Sequence, residues 1–284
     1  MYHYFPNSGI FINFNMEIYT LVRGDTIVDV EELLISGDNK RVFVNTAIGC
    51  TAQCRYCYLP DMGIERVKYD IDLGVIMGDI QQREMVGDFI KGPEGTIVSF
   101  GCFTECLNKK SRDLTMEMLL FFLNRGNYIQ IATKEVIDEN DLAYLQKYLK
   151  YKNQITINVS LPVYYDAREI EPNAQVVERR IHNFKLNNIY DIETVMYIKP
   201  VLENVTFKSL DIYIKLIREY NLKVVIGKYL YLNKMENSTL QLVGSKEMWQ
   251  KDSDQCRELK EVLQKITKVY DNSIQIIEEY RRKN

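Results

Sequence analysis

Residues 41–60 read RVFVNTAIGCTAQCRYCYLP. The first eight are rich in β-branched and apolar residues, as a strand is. Three cysteines follow directly, Cys50, Cys54 and Cys57, with the spacing C-x3-C-x2-C. The reading therefore begins with a strand that hands its chain to a cysteine-bearing loop. Five more runs of strand character follow: GTIVSF (95–100), YIQIAT (128–133), ITINVSL (155–161), ETVMYI (193–198) and LKVVIG (222–227). Segments with helical periodicity lie between them, at 115–124, 140–150, 173–185 and 206–219, the first starting at a Thr115 cap with Arg-Gly just beyond its end. Six strands alternating with helices imply βαβ units around a parallel sheet. The expected fold is α/β, a β/α barrel, closed or partly closed, whose chemistry sits on the loops at the carboxyl ends of the strands. Residues 1–235 are expected to form the barrel domain, with 1–40 as its N-terminal extension. Residues 236–284 are expected to be a C-terminal helical cap, with 254–282 as charged amphipathic helix.

The 284 residues carry a formal net charge of −3. A dedicated nucleic-acid binder is expected to show a basic excess, and only a local patch at Lys109, Lys110 and Arg112 stands out. No apolar run approaches the roughly 20 residues of a membrane span. The start, MYHYFPNSGI, lacks the basic and apolar regions of a signal peptide. A cytoplasmic location with no membrane partner is the expectation, and there clustered cysteines read as metal ligands or redox groups.

Three closely spaced thiolates fit two kinds of metal site. Structural zinc takes four ligands, so a zinc module needs a distant fourth such as Cys102, Cys106 or Cys256. In an iron–sulfur cluster each thiolate holds one iron. Three thiolates on a [4Fe–4S] cluster leave one iron open for a substrate or cofactor.

The motif C-x3-C-x-aromatic-C resembles the signature of the radical S-adenosylmethionine (radical SAM) superfamily. That resemblance implies a partial (β/α)6 barrel, a [4Fe–4S] cluster on Cys50, Cys54 and Cys57, and S-adenosyl-L-methionine (SAM) bound at the open iron. It also implies reductive cleavage of SAM to a 5′-deoxyadenosyl radical that abstracts a hydrogen atom, with an electron donor such as flavodoxin or ferredoxin. The surroundings resemble the spore photoproduct lyase-like branch over residues 43–231. Tyr56 and Tyr58 flank the third cysteine, and SFGCFTEC (99–106) places Cys102 two residues before the pair Thr104 and Glu105. By that resemblance Cys102 returns a hydrogen atom to a substrate radical, with Tyr56 and Tyr58 as relay partners, and Thr104 and Glu105 lie near the SAM amino group. Lys134 matches a lysine on the SAM carboxylate, a pairing that charge-assisted hydrogen bonding favours. Ser160 matches a second contact to SAM. Glu171 and Arg179, in EIEPNAQVVERRIHNF, match a pair near the SAM ribose or carboxylate, with Arg180 as the alternative to Arg179.

Bland readings stand beside these. Cys102 also fits a small buried residue, Glu171 and Arg179 a plain salt bridge, and the two tyrosines a wall that keeps solvent from a cluster. The most specific expectation is a lyase or repair reaction on a pyrimidine lesion. The acidic chain and a tail after residue 235 that matches no DNA-contacting region argue against carrying the substrate over. The alternative is a radical SAM enzyme modifying a peptide or small metabolite, and the third reading is the non-catalytic zinc module.

Overall fold

The computed structural model describes residues 33–62, 64, 66–202, 204–230 and 253–283, with the backbone of short strands at 3–5, 10–12, 20–23 and 26–29. Its centre is an eight-stranded sheet: β1 (Ile35–Gly37), β2 (Arg41–Val44), β3 (Ile97–Phe100), β4 (Ile129–Thr133), β5 (Ile155–Ser160), β6 (Glu193–Ile198), β7 (Val224–Ile226) and β8 (Val269–Tyr270). The strands lie in chain order across the sheet, and all neighbours are parallel except β1 and β2. The six expected strands are β2–β7. The sheet does not close, since β1 and β8 form its two edges, so the architecture is a partial barrel. Its parallel strands are covered on both faces and read as nearly continuous apolar runs. In β5, ITINVS, every residue is buried.

The helices are α1 (Leu73–Val86), α2 (Arg112–Arg125), α3 (Glu139–Gln146), the short α4 (Ala167–Ile170) and α5 (Val177–Arg180), α6 (Leu210–Tyr220), α7 (Asp254–Gln264) and α8 (Ile274–Lys283). Three departures from expectation have local causes. First, α1 has no counterpart in the sequence reading. Its buried stripe is only Leu73, Ile76 and Ile80, while Val75, Met85 and Val86 are exposed and blur the period. Second, α2 starts earlier than expected, and Thr115 is not its cap. Thr115 is buried inside the helix, where its hydroxyl donates to the Cys106 carbonyl (2.6 Å) and bonds Thr46 Oγ1 (2.6 Å). Third, residues 254–282 are not one helix. Asp271, Asn272 and Ser273 are turn formers, and they separate the sheet strand β8 from α8. The expected boundary at 235/236 lies outside the described residues.

The two faces of the sheet have different cores. The convex face packs Val42, Phe100, Ile131, Val159 and Val224 against Ile76, Phe122, Leu142 and Tyr213 of the helices. The concave face carries a smaller cluster in which Ile97, Val195, Val225 and Tyr270 meet Ile276, Ile277 and Tyr280 of α8. Burying each of those isoleucines contributes about 1.5–3 kcal/mol. Helix α8 sits at the amino ends of the strands: Arg281 Nε donates to Pro93 O (2.7 Å), ahead of β3, and Lys223 Nζ, ahead of β7, donates to Tyr280 Oη (3.2 Å). The floor of the open barrel is thereby sealed, and its polar chemistry gathers at the carboxyl ends. No described helix is long and apolar enough to cross a membrane.

Candidate active site

The cysteine loop leaves the carboxyl end of β2 and is closed at its neck by Ile48 and Lys68, which exchange two backbone hydrogen bonds (3.0 and 2.8 Å). Gly49 lets the neck close. Its φ is +93°, and a Cβ there would meet Arg66 O at 2.4 Å, so no L side chain fits. Gly49 N donates to Phe103 O (2.8 Å) and pairs with buried Thr104 in a parallel bridge, which ties the cysteine loop to the loop after β3. Asn45 adds a second tie: its Oδ1 accepts from Phe103 N (2.9 Å) and its Nδ2 donates to Leu33 O (2.8 Å). On its other side the loop docks on the segment around α4. Arg55 N donates to Ile170 O (2.9 Å), Asn173 N donates to Ala52 O (3.2 Å), and Arg55 pairs with Glu169 (2.6 Å).

Cys50, Cys54 and Cys57 are all half-buried and packed against the main core. Burial pushes the Cys50 thiol up to about 11, against a bond from Ala52 N, and raises Cys54 as well; the nearby Lys134 ammonium pulls both down. Cys50 feels the charge of Cys54, and Cys54 that of Cys57. Among the described residues no three Cys, His, Asp or Glu side chains meet around one point as the ligands of a single ion do. Cys106 is sealed in the core, and Cys256 Sγ lies 3.9 Å from Gly227 O beside β7; neither completes a zinc set with the triad. A cluster holds each thiolate on a different iron. Three half-buried thiols on one loop with a cation over them are a donor set that suits it.

The loop after β3 brings in Cys102. Gly101, at φ +86°, precedes it because a Cβ there would strike Ala132 O at 2.3 Å. The Tyr58 hydroxyl donates to Cys102 O and lies 3.7 Å from Cys102 Sγ. Burial raises the Cys102 pKa, so the thiol is protonated at neutral pH; Tyr58, Arg41 and Lys199 oppose that shift. Glu105 reaches across to the end of β4, where it accepts from Thr133 Oγ1 (2.5 Å) and Lys134 N (2.7 Å). Its carboxyl is raised by burial in spite of these bonds.

Tyr56 goes elsewhere. Its hydroxyl donates to Glu171, and burial followed by the Glu171 charge raises its pKa. Glu171 is itself fully buried and pairs with Arg180 Nη1 (2.6 Å), with Lys134 Nζ at 3.9 Å. The Lys134 ammonium lies 5.5 Å from the centre of the Tyr56 ring, and its pKa is raised because Cys54 and Glu171 outweigh burial. Arg180 also donates to Ser160 O (3.2 Å) at the end of β5. The structure thus gathers Cys102 and Tyr58 on one side, and Tyr56, Lys134, Glu171 and Ser160 on the other, around the cysteine loop. Arg179 does not join them. It is exposed, and the arginine that holds Glu171 is Arg180. Val177 and Arg180 face inwards one turn apart while Glu178 and Arg179 face out, a helical period that four residues are too short to announce. The sequence reading also passed over Asn45, Gly101 and Thr133, none of which has a type that announces a role.

No family model and no curated protein matches the chain. Solved structures do. SuiB of Streptococcus suis bound to its precursor peptide SuiA aligns with a TM-score of 0.53 at 13% identity, over 82% of this chain and 49% of that one. SuiB bound to S-adenosylmethionine aligns at 0.52 and 12% identity, over 81% and 49%. Spore photoproduct lyase with a cysteine-to-serine substitution aligns at 0.51 and 13% identity, over 73% and 60%. The chain spans about half to three-fifths of the length of these proteins. With its seven parallel strands, its open sheet and these likenesses, the chain has the partial-barrel fold of the radical SAM enzymes.

Proposed function

We propose that this chain is a radical SAM enzyme that abstracts a hydrogen atom from a bound substrate. The observation that carries this reading is the placement of the cysteine loop. It emerges from the first parallel strand of the barrel and is pinned through Gly49 and Asn45 to the loop that bears Cys102 and Glu105, with Lys134 close by. Cys50, Cys54 and Cys57 would hold the [4Fe–4S] cluster. With SAM bound, the pair would supply a 5′-deoxyadenosyl radical once an external one-electron donor, of flavodoxin or ferredoxin type, delivers its electron.

The chain's own residues do the rest. The ammonium of Lys134 would take the SAM carboxylate, and Thr104 and Glu105 would serve its amino group. Ser160 and the buried Glu171 border the same space. Arg180, rather than Arg179, holds Glu171 in place. Cys102 carries the hydrogen atom that ends the cycle: its S–H bond breaks as a C–H bond forms on the substrate radical. The Tyr58 hydroxyl, 3.7 Å from Sγ, is positioned to return a hydrogen atom to the thiyl radical, and the tyrosyl radical left behind would take one electron from the external donor and a proton from water. Tyr56, turned toward Glu171, serves the ion-pair network and not that relay. The likenesses include both a lesion lyase and a peptide-bound enzyme, so the reaction type is proposed ahead of any one substrate.

The test is anaerobic reconstitution with iron and sulfide, then addition of dithionite and SAM and detection of 5′-deoxyadenosine by mass spectrometry. Wild type should form it and Cys54→Ala should not. A colourless protein that copurifies with zinc would overturn the reading. Cys102→Ala should still form 5′-deoxyadenosine while the hydrogen-returned product is lost.

A further inference from the structure

The concave face of the barrel holds a half-buried positive charge that the proposed chemistry does not use. Arg41 opens β2 and pairs in register with Ile97, a member of the concave cluster, so its side chain lies on the inner face. Among the described residues its hydrogen-bond partners are all neutral. Its Nε donates to Ser99 Oγ (2.8 Å), and Nη2 reaches Gln130 Oε1 (3.3 Å) and Ser273 Oγ (3.4 Å). No carboxylate among the described residues meets it, and its guanidinium lies 4.6 Å from the centre of the Phe43 ring. A cation drawn partly out of water gains by pairing with an anion.

Two further groups on this face lack partners. Asn158 stands opposite Val195 in register and Thr156 opposite Gln130, which puts both on the inner face. Each is at most 2% exposed, and neither the Asn158 Oδ1 nor the Thr156 Oγ1 atom has a hydrogen-bond partner. Buried polar atoms in native proteins are nearly always satisfied. Among the described residues, a cation with only neutral partners, an unpaired acceptor and an unpaired hydroxyl on one face describe the complement of a ligand. Burial lowers the Arg41 pKa, and its charge is felt at Cys102, as is that of Lys199 at the end of β6. These groups therefore face the same interior as the candidate hydrogen donor. Helix α8 covers the amino ends of the strands below them, so a ligand would reach them from the carboxyl ends.

We infer that the concave face is a substrate pocket for a small anionic molecule, a carboxylate or phosphate, whose charged group is taken by Arg41 and whose O–H or N–H donates to Asn158. The inference rests on the radical SAM reading for the meaning of Cys102, but binding does not require a cluster. The test is thermal unfolding of the chain without iron, with inorganic phosphate or acetate added and ionic strength matched by chloride. Wild type should melt at least about 2 °C higher with one of the two anions, since a ligand bound to the folded state raises its stability. A response to phosphate alone identifies a phosphate ligand, and one to acetate alone a carboxylate. Arg41→Met should abolish the response, and Arg41→Lys should keep part of it. Without anion, Arg41→Met should melt no lower than wild type, because replacing a half-buried charge that has no ion pair by an apolar chain relieves its desolvation. The inference is overturned if neither anion acts beyond chloride or if Arg41→Met responds like wild type. It is equally overturned if Arg41→Met melts well below wild type or fails to fold, because Arg41 is then a structural tie between β2 and Ser273. None of these outcomes depends on whether the chain assembles a cluster, so this inference and the proposed function fail separately.

Discussion

Arg179 and Arg180 are adjacent and chemically identical, yet only Arg180 is buried, and it pairs with a carboxylate that is buried too. Removing one partner of a buried pair strands the other charge. Arg180→Met should therefore destabilise the protein by about 3–5 kcal/mol. Arg179→Ala, at an exposed position, should stay within about 0.5 kcal/mol of wild type. Urea unfolding of the two variants reads this directly, and equal losses would contradict the placement of Glu171. The same residue scale separates the two tyrosines. Tyr56 and Tyr58 flank Cys57 in symmetrical fashion along the chain, but one bonds Glu171 and the other Cys102. Their neighbours come from α4 and β3, far away in sequence, so nothing local distinguishes them.

At the scale of elements, the cysteine loop depends on one glycine and one asparagine. Gly49→Ala forces a Cβ against Arg66 O in a backbone conformation costing about 1–3 kcal/mol for an L residue. The expected result is a chain with unchanged far-UV circular dichroism that takes up much less iron on reconstitution. Normal iron uptake by this variant would show that the neck does not organise the thiols. Helix α8 makes a second prediction through Glu279. Burial works against its charge, but bonds from Lys268, Lys283 and Tyr270 outweigh it and hold the carboxyl at about 2, against 4.5 unperturbed. A depressed carboxyl pKa adds stability that is present above the unfolded value and lost as pH falls through the folded one. Glu279→Gln should thus lower stability at pH 7 by about 2 kcal/mol. The gap from wild type should close between pH 4.5 and about 2. A gap that stays constant down to the lower limit would remove the ion pairs from the account.

The whole molecule is held from both sides of one sheet, and its last helix belongs to the barrel. Ile276 and Ile277 are fully buried against Val195, Val225 and Tyr270. Ile276→Ala should destabilise the whole protein by about 2–5 kcal/mol. Circular dichroism and tyrosine fluorescence should report a single unfolding transition at a lower urea midpoint. Two separate transitions would mean that α8 is an appendage that unfolds on its own. Closing the floor also gives the barrel a direction: the amino ends are filled with apolar packing, and the carboxyl ends are left to the thiols, carboxylates and cations.

Much of this was legible before any coordinates. The six runs of β-branched residues fixed β2–β7 because a parallel strand buried on both faces has to be apolar throughout. The cysteine spacing marked the loop after the first of them, since three thiols so close in the chain cannot be far apart in space. The candidate residues Cys102, Glu105, Lys134, Ser160 and Glu171 followed from a resemblance to known motifs, and they do gather at one end of the sheet. What the chain order could not reveal is pairing across long separations. Arg180 rather than Arg179 holds Glu171, Arg41 meets Ser99 and Ser273, and residues 269–283 return to extend the sheet and seal its floor. Periodicity records which face of an element is apolar. Only the assembled fold decides which distant polar group that element then meets, because burial makes each such group seek a partner wherever the fold supplies one.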